Sequence, residues 1–239
     1  MTLGKSLRLR RIFANGRALI VDCGPLAGDC LGTVRLLARA GADAVVLTPG
    51  RLDVVAEELA GLSVILRIDG GPGPAQQLLS VQAALEMGAE ALLVGVEALG
   101  PGPSSSLERF GRVAEDAWRL GMPVIAEVCG EGWLETARLA TEFGADVIQA
   151  RCISEGAADR HFVRVTGRPF LASLGEGASA APGLLDMIYD LMQGKAQGVV
   201  LRDRALAAPP MLRAIHGLVH QGISAEEALE IARAPEHAP

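Results

Sequence analysis

One phrase recurs along this sequence and leaves little choice of architecture. It reads Ala40-Gly41-Ala42-Asp43-Ala44-Val45-Val46-Leu47, returns as Met87-Gly88-Ala89-Glu90-Ala91-Leu92-Leu93-Val94, and again as Phe143-Gly144-Ala145-Asp146-Val147-Ile148-Gln149-Ala150. A glycine in the left-handed conformation commonly closes a helix. The run after it is apolar on successive residues, as a parallel strand covered on both faces requires. Each copy therefore marks the end of a helix and the start of a strand. A weaker echo is Gly194-Lys195-Ala196-Gln197-Gly198-Val199-Val200-Leu201.

Two further strands follow a proline, Met122-Pro123-Val124-Ile125-Ala126-Glu127 and Arg168-Pro169-Phe170-Leu171-Ala172-Ser173, where the ring fixes the entry into the strand. Leu19-Ile20-Val21-Asp22 and Val64-Ile65-Leu66-Arg67-Ile68-Asp69 complete eight strand candidates, each followed by a helical stretch. Thr33 to Ala40 and Leu107 to Leu120 carry apolar residues at three- and four-residue spacing. Ser224 with Glu227 makes a capping box for a last helix over 225–232. Eight βα units imply one closed α/β barrel, a (β/α)8 TIM barrel occupying residues 1–239 as a single domain. An open doubly wound sheet is the competing architecture, but no glycine fingerprint follows the first strand.

The formal charge of −6 offers no long-range attraction to nucleic acid or to an anionic membrane. No apolar run approaches the roughly 20 residues needed to cross a bilayer. The stretch from Met1 to Arg17 is basic but lacks the apolar core of a signal peptide, so a cytoplasmic location is expected. Cys23, Cys30, Cys129 and Cys152 form no CxxC pair and read as reduced thiols.

Barrels of this kind place their chemistry at the C-terminal ends of the strands. Those ends hold Asp22 and Cys23, Arg67 and Asp69, Glu97, Glu127 and Cys129, Gln149, Arg151 and Cys152, the Ser173 to Ser179 loop, and Arg202-Asp203-Arg204. Asp22 and Glu127 are the candidate general acid and base, with ion pairing to a mouth arginine as the structural alternative. Gly175, Gly177 and Ser179 suit an anion, opposite Arg202 and Arg204. Arg67, Asp69, Gln149 and Arg151 complete the candidate substrate-binding set. Cys23, Cys129 and Cys152 raise a thiol nucleophile or a soft-metal site, but small buried hydrophobes are the better reading. His161, His216, His220 and His237 fall in helices or the tail, Trp118 and Trp133 read as packing residues, and neither metal nor cofactor is expected.

The stretches Gly4 to Phe13, Val21-Asp22-Cys23-Gly24, Gly41 to Val45, Gly121-Met122-Pro123-Val124, Gly144 to Ile148 and Gly222 to Leu229 resemble the archaeal-type class I aldolases. These include fructose-bisphosphate aldolases and 2-amino-3,7-dideoxyheptulosonate synthases. The resemblance covers nearly the whole chain. It implies a Schiff-base lysine on strand 6, where this chain has Gln149, and a tyrosine after strand 5, where it has Cys129. It implies a histidine after the strand 1 aspartate, where it has Cys23. Of that catalytic set only Asp22 remains. The resemblance also implies a phosphorylated small-molecule ligand and a homo-oligomer.

Two functions are therefore expected in competition. One is acid/base chemistry of lyase or isomerase type on a small phosphorylated sugar or carbonyl compound, without a Schiff base. The other is an inactive homologue acting as a sugar-phosphate sensor or as a structural subunit beside an active paralogue.

Overall fold

In the computed structural model the described residues are 1–24, 30–59, 61–70, 76–97, 105–130, 132–151, 166–175, 177–180 and 183–234. Eight parallel strands close into one barrel in chain order. They are β1 (Ala18–Asp22), β2 (Ala44–Leu47), β3 (Ser63–Arg67), β4 (Ala91–Val96), β5 (Val124–Val128), β6 (Val147–Arg151), β7 (Phe170–Leu174) and β8 (Gly198–Leu201). The helices are α1 (Leu3–Ile12), α2 (Cys30–Ala40), α3 (Pro49–Val55), α4 (Val81–Glu86), α5 (Ser105–Arg119), α6 (Trp133–Glu142), α7 (Leu184–Gln193), α8 (Pro209–His216) and α9 (Ala225–Arg233). Among the described residues no helix is long and apolar enough to cross a membrane.

The strand period of two sorts the core into two shells. Ala18, Ile20, Ala44, Val46, Ile65, Ala91, Leu93, Ile125, Val147, Leu171 and Val200 fill the inside of the barrel. The alternate positions, among them Leu19, Val45, Leu66, Leu92, Val124 and Val199, pack outward against the helices. Phe13 and the α1 residues Leu9 and Ile12 join the inner shell, so α1 plugs the N-terminal end of the barrel.

The recurring phrase does more than close helices. Gly41, Gly88 and Gly144 do take positive φ, at 87°, 82° and 108°. In the echo, however, Gly194 is an ordinary helix cap and Lys195 takes the left-handed position, at φ 82°. The polar residue two places on ties the floor together. Asp43 accepts the Leu19 N–H at 2.6 Å, Asp146 accepts the Val124 N–H at 2.9 Å, and Gln197 accepts the Phe170 N–H at 2.7 Å. Each bond secures an N–H at the start of the preceding strand, which the parallel ladder would leave open.

The same acids explain the basic N-terminus. Lys5 Nζ lies 2.7 Å from Asp146 in a buried pair, while Arg8 and Arg11 reach Glu90 at 3.2 and 2.7 Å. The positive charge of α1 is thus the complement of the floor it seals. At the other end of the chain Ser224 and Glu227 form the expected capping box for α9. Trp133 packs partly buried on the outer shell, but Trp118 is 62% exposed and is not a packing residue.

Candidate active site at the barrel mouth

Two residues beyond the inner shell, the same alternation turns polar. Ile20 is followed inward by Asp22, Ile65 by Arg67, Ile125 by Glu127, Val147 by Gln149, Leu171 by Ser173 and Val200 by Arg202. Strand register sets some of them side by side, with Glu127 opposite Gln149 on one flank and Gly95 on the other. The mouth is therefore lined by residues that strand geometry turns inward and whose hydration the barrel wall removes: Asp22, Glu127, Gln149 and Ser173 are all buried.

Their charges are arranged as a network. Arg67 donates to Glu127 Oε2 at 2.8 Å, and Arg202 donates to Glu127 Oε1 at 2.8 Å. Gln149 adds a longer bond to Oε1 at 3.3 Å. The Asp22 Oδ2 atom stands 3.3 Å from Arg202 Nε and 3.6 Å from Arg67 Nη2, with Asp22 Oδ1 accepting the Gly24 N–H at 2.9 Å. Among the described residues neither Asp22 Oδ2 nor Arg67 Nη2 completes a hydrogen bond.

Asp69 is drawn away from this centre. It accepts from Arg109 at 3.1 Å and from the Gly95 N–H at 2.9 Å, and Arg67 is 3.8 Å away. Arg109 also donates to the Gly95 carbonyl at 2.6 Å. Three carboxylates, Asp22, Asp69 and Glu127, thus face three guanidiniums, Arg67, Arg109 and Arg202. Arg109 is the member that strand-end reading misses, because it comes from α5. Its signal is an arginine beside Phe110 on the stripe that carries Val113, Ala114 and Ala117 into the core.

Burial pushes the Asp22 carboxyl up from its ordinary value, against the pull of Arg67, the Gly24 N–H and Arg202. For Arg67 the order is reversed in effect: Glu127, Asp22 and Asp69 together overcome burial and strengthen its hold on the proton. The Cys23 thiol is pushed up to about 12, chiefly by burial and then by Cys30 and Asp22. Burial, Glu97 and Glu127 raise the Cys129 thiol as well. Neither is held as a thiolate nucleophile, and Cys152 lies outside the described residues.

The rim beside β6 to β8 carries the remaining candidates. The Arg151 guanidinium lies over Gly175, so close that a β-carbon there would stand 3.2 Å from its Nε. Gly177 turns the loop at φ 82°. Ser179 donates both its N–H and its hydroxyl to Asp203, at 3.1 and 2.7 Å, and so spends on a neighbour the donors an anion would use. Arg204 opens a 3-10 turn, and its side chain lies outside the described residues. Glu97 sits exposed near Gly130.

The chain has two lysines. Lys5 is sealed in the floor against Asp146, and Lys195 is exposed at the turn leading into β8, also at the floor. His216 and His220 are at that end too, with His220 Nε2 2.8 Å from Asp43.

Comparison with known proteins shows the family and the fold. A family model described as DeoC/LacD family aldolase matches residues 21–202, from the strand that bears Asp22 to Arg202 itself. The chain belongs to the DeoC/LacD aldolase family. Among relatives, the 2-amino-3,7-dideoxy-D-threo-hept-6-ulosonate synthase of Halobacterium salinarum is 29% identical over 253 residues, covering 95% of each chain. An uncharacterised aldolase of Saccharolobus solfataricus is 25% identical over 270 residues, covering 96% of this chain and 99% of that one. Of solved structures, an archaeal fructose 1,6-bisphosphate aldolase superposes with a TM-score of 0.74 at 23% identity, covering 91% of this chain and all of the other. A fructose-bisphosphate aldolase from Slackia heliotrinireducens gives 0.80 at 14% identity, covering 99% and 92%. These last two likenesses are of fold. The DeoC/LacD family assignment establishes an aldolase-type barrel; its mouth chemistry is a matter for the side chains.

Proposed function

We propose that the mouth takes a small carbonyl compound or sugar phosphate and moves protons on it without forming an imine. The observation that carries this reading is Asp22: buried, with Oδ2 short of a hydrogen bond among the described residues, its carboxyl raised above its ordinary value by that burial, and set between two guanidiniums. Such a carboxyl can donate a proton to a carbonyl oxygen or take one from carbon or hydroxyl. Glu127 is the second carboxylate. In a retro-aldol step the base removes the β-hydroxyl proton, the carbon–carbon bond breaks, the β-carbon departs as a carbonyl compound, and the electron pair passes to the remaining carbonyl as an enediolate that takes the proton back on carbon. Arg67 and Arg202 are placed to stabilise that negative charge. Isomerisation would begin instead with loss of a carbon-bound proton from the intact substrate, and the same groups would carry that proton to the neighbouring carbon and stabilise the enediolate between. Arg151, Gly175, Gly177, Arg202 and Arg204 would hold the phosphate, with Asp69 and Gln149 shaping the pocket; Ser179 would join them only by releasing Asp203.

The imine route is set aside because both lysines are at the floor and Gln149 occupies the inward position on β6. A carboxamide does not form an iminium with a ketone. A second reading, a non-catalytic sugar-phosphate sensor or a subunit beside an active paralogue, is favoured by one feature. Both oxygens of Glu127 are already engaged, by Arg67, Arg202 and Gln149.

Borohydride trapping with a panel of ketose and aldose phosphates tests the proposal, and no covalent adduct is expected; an adduct would overturn it. Ligand binding is read by thermal shift, since a ligand at 100 times its Kd adds about 2.7 kcal/mol of stability. Asp22→Asn is expected to abolish turnover while that shift persists. A shift with no turnover in the unaltered protein supports the sensor instead.

A further inference from the structure

Outside the barrel, α2 and α8 run side by side and leave a recess of about 400 Å3 between them. One wall is a single face of α2, with Gly32, Arg35, Leu36 and Arg39 at three- and four-residue spacing. The other is Pro209 and Arg213, one turn apart on α8. Three exposed guanidiniums therefore line one recess in a chain whose net charge is −6.

Their local pairing is incomplete. Arg35 reaches Glu58 at 2.6 Å. Arg39 acts on Glu58 only at longer range, and among the described residues neither Arg39 nor Arg213 makes an ion pair. Arg35 and Arg39 are four apart on one helix, an arrangement of like charges that disfavours the helix by a few tenths of a kcal/mol. Gly32 lines the recess beside these arginines, and Leu36 adds an apolar surface.

We infer that this recess is a second ligand site, separate from the mouth, that binds a phosphate chain of two or three phosphoryl groups. The volume is that of a small-molecule pocket rather than a docking face for a macromolecule. Guanidinium forks match phosphoryl oxygens two at a time. Two cations with no ion pair among the described residues and a third engaged with Glu58 suit a ligand of several negative charges, more than one monoester carries. The walls follow β1 and β8, the strands that carry Asp22 and lead to Arg202, so a bound chain would clamp the outside of the seam whose inside faces the mouth.

The test is titration calorimetry on the full chain with inorganic triphosphate, adenosine diphosphate and citrate. Triphosphate or adenosine diphosphate is expected to bind, more weakly as salt rises from roughly 50 to 200 mM. Whichever binds more tightly identifies the inorganic or the nucleotide form as the source. Arg39→Gln with Arg213→Gln should weaken binding on the order of 100-fold, about tenfold for each guanidinium taken from the phosphates. Arg202→Gln, in the mouth, should leave it unchanged. The site is overturned if neither phosphate binds, if the paired groove variant binds as well as the unaltered chain, if Arg202→Gln abolishes binding, or if citrate binds as tightly as triphosphate. Both groove arginines are exposed, and urea unfolding of the paired variant provides the check on its fold.

Discussion

Glu127 is the residue on which the mouth turns. It holds Arg67 at 2.8 Å and Arg202 at 2.8 Å, and the two guanidiniums differ in their access to water: 10% of the Arg67 side chain is exposed, against 32% for Arg202. Of the two, Arg202 is the cation an incoming anion meets first, and Arg67 the one water reaches least. Glu127→Ala leaves that buried cation with Asp22 at 3.6 Å and Asp69 at 3.8 Å as its remaining partners. The expected loss is about 3 kcal/mol in urea unfolding, the scale for removing one partner of a buried pair. Loss below about 1 kcal/mol would show that the network is loose enough for water to replace the carboxylate. Asp22 behaves differently with pH. Because its carboxyl is raised, charging it costs folded-state stability above its ordinary value, and the cost is relieved as pH falls from the raised value toward 3.8.

At the scale of elements the closing seam between β1 and β8 has no room for a side chain at Gly198. Ala18 pairs with Gly198, and a β-carbon at Gly198 would fall within the radius of the Ala18 carbonyl oxygen, which is backbone and cannot step aside. Gly198→Ala is expected to cost at least about 3 kcal/mol, read as a lowered urea midpoint, the upper end of what overpacking costs. An unchanged midpoint would mean that the two strands part without penalty. The strands were legible in the sequence because their grammar is local: a left-handed glycine, a polar pin and a β-branched run are all near neighbours. The mouth was legible for the same reason, since period two carries Asp22, Arg67, Glu127, Gln149 and Arg202 inward from strands already identified. What stayed hidden was long-range. Arg109 enters from a helix, Lys5 finds Asp146 across 141 positions, and Ser179 turns to Asp203, partners that no spacing rule connects. The left-handed Lys195 was hidden too, because the glycine beside it answers to the same rule.

For the whole molecule the floor and the mouth are opposites. The floor gathers α1, both lysines, and the pair His216 and His220, whose ring centroids are 4.7 Å apart. The His216 imidazole is held below its ordinary value by burial and by His220, with Asp43 pulling the other way. The unfolded chain therefore binds more protons than the folded one below pH 6.5, so the stability due to neutral His216 is whole above that pH and drains as pH falls below it. The urea midpoint should drop between pH 7.5 and 5.5, and drop less in His216→Gln; equal drops in both would remove His216 as the cause. The barrel that separates floor from mouth closes by joining residues 18–21 to residues 198–201. On a ribosome, everything between those two stretches must be made before the first strand meets its second neighbour. Until then β1 waits with one edge bare, and the half-built sheet is an open template for other chains. A truncation just before Gly198 should accordingly yield not a smaller barrel but an aggregate, seen as light scattering where the full chain stays clear.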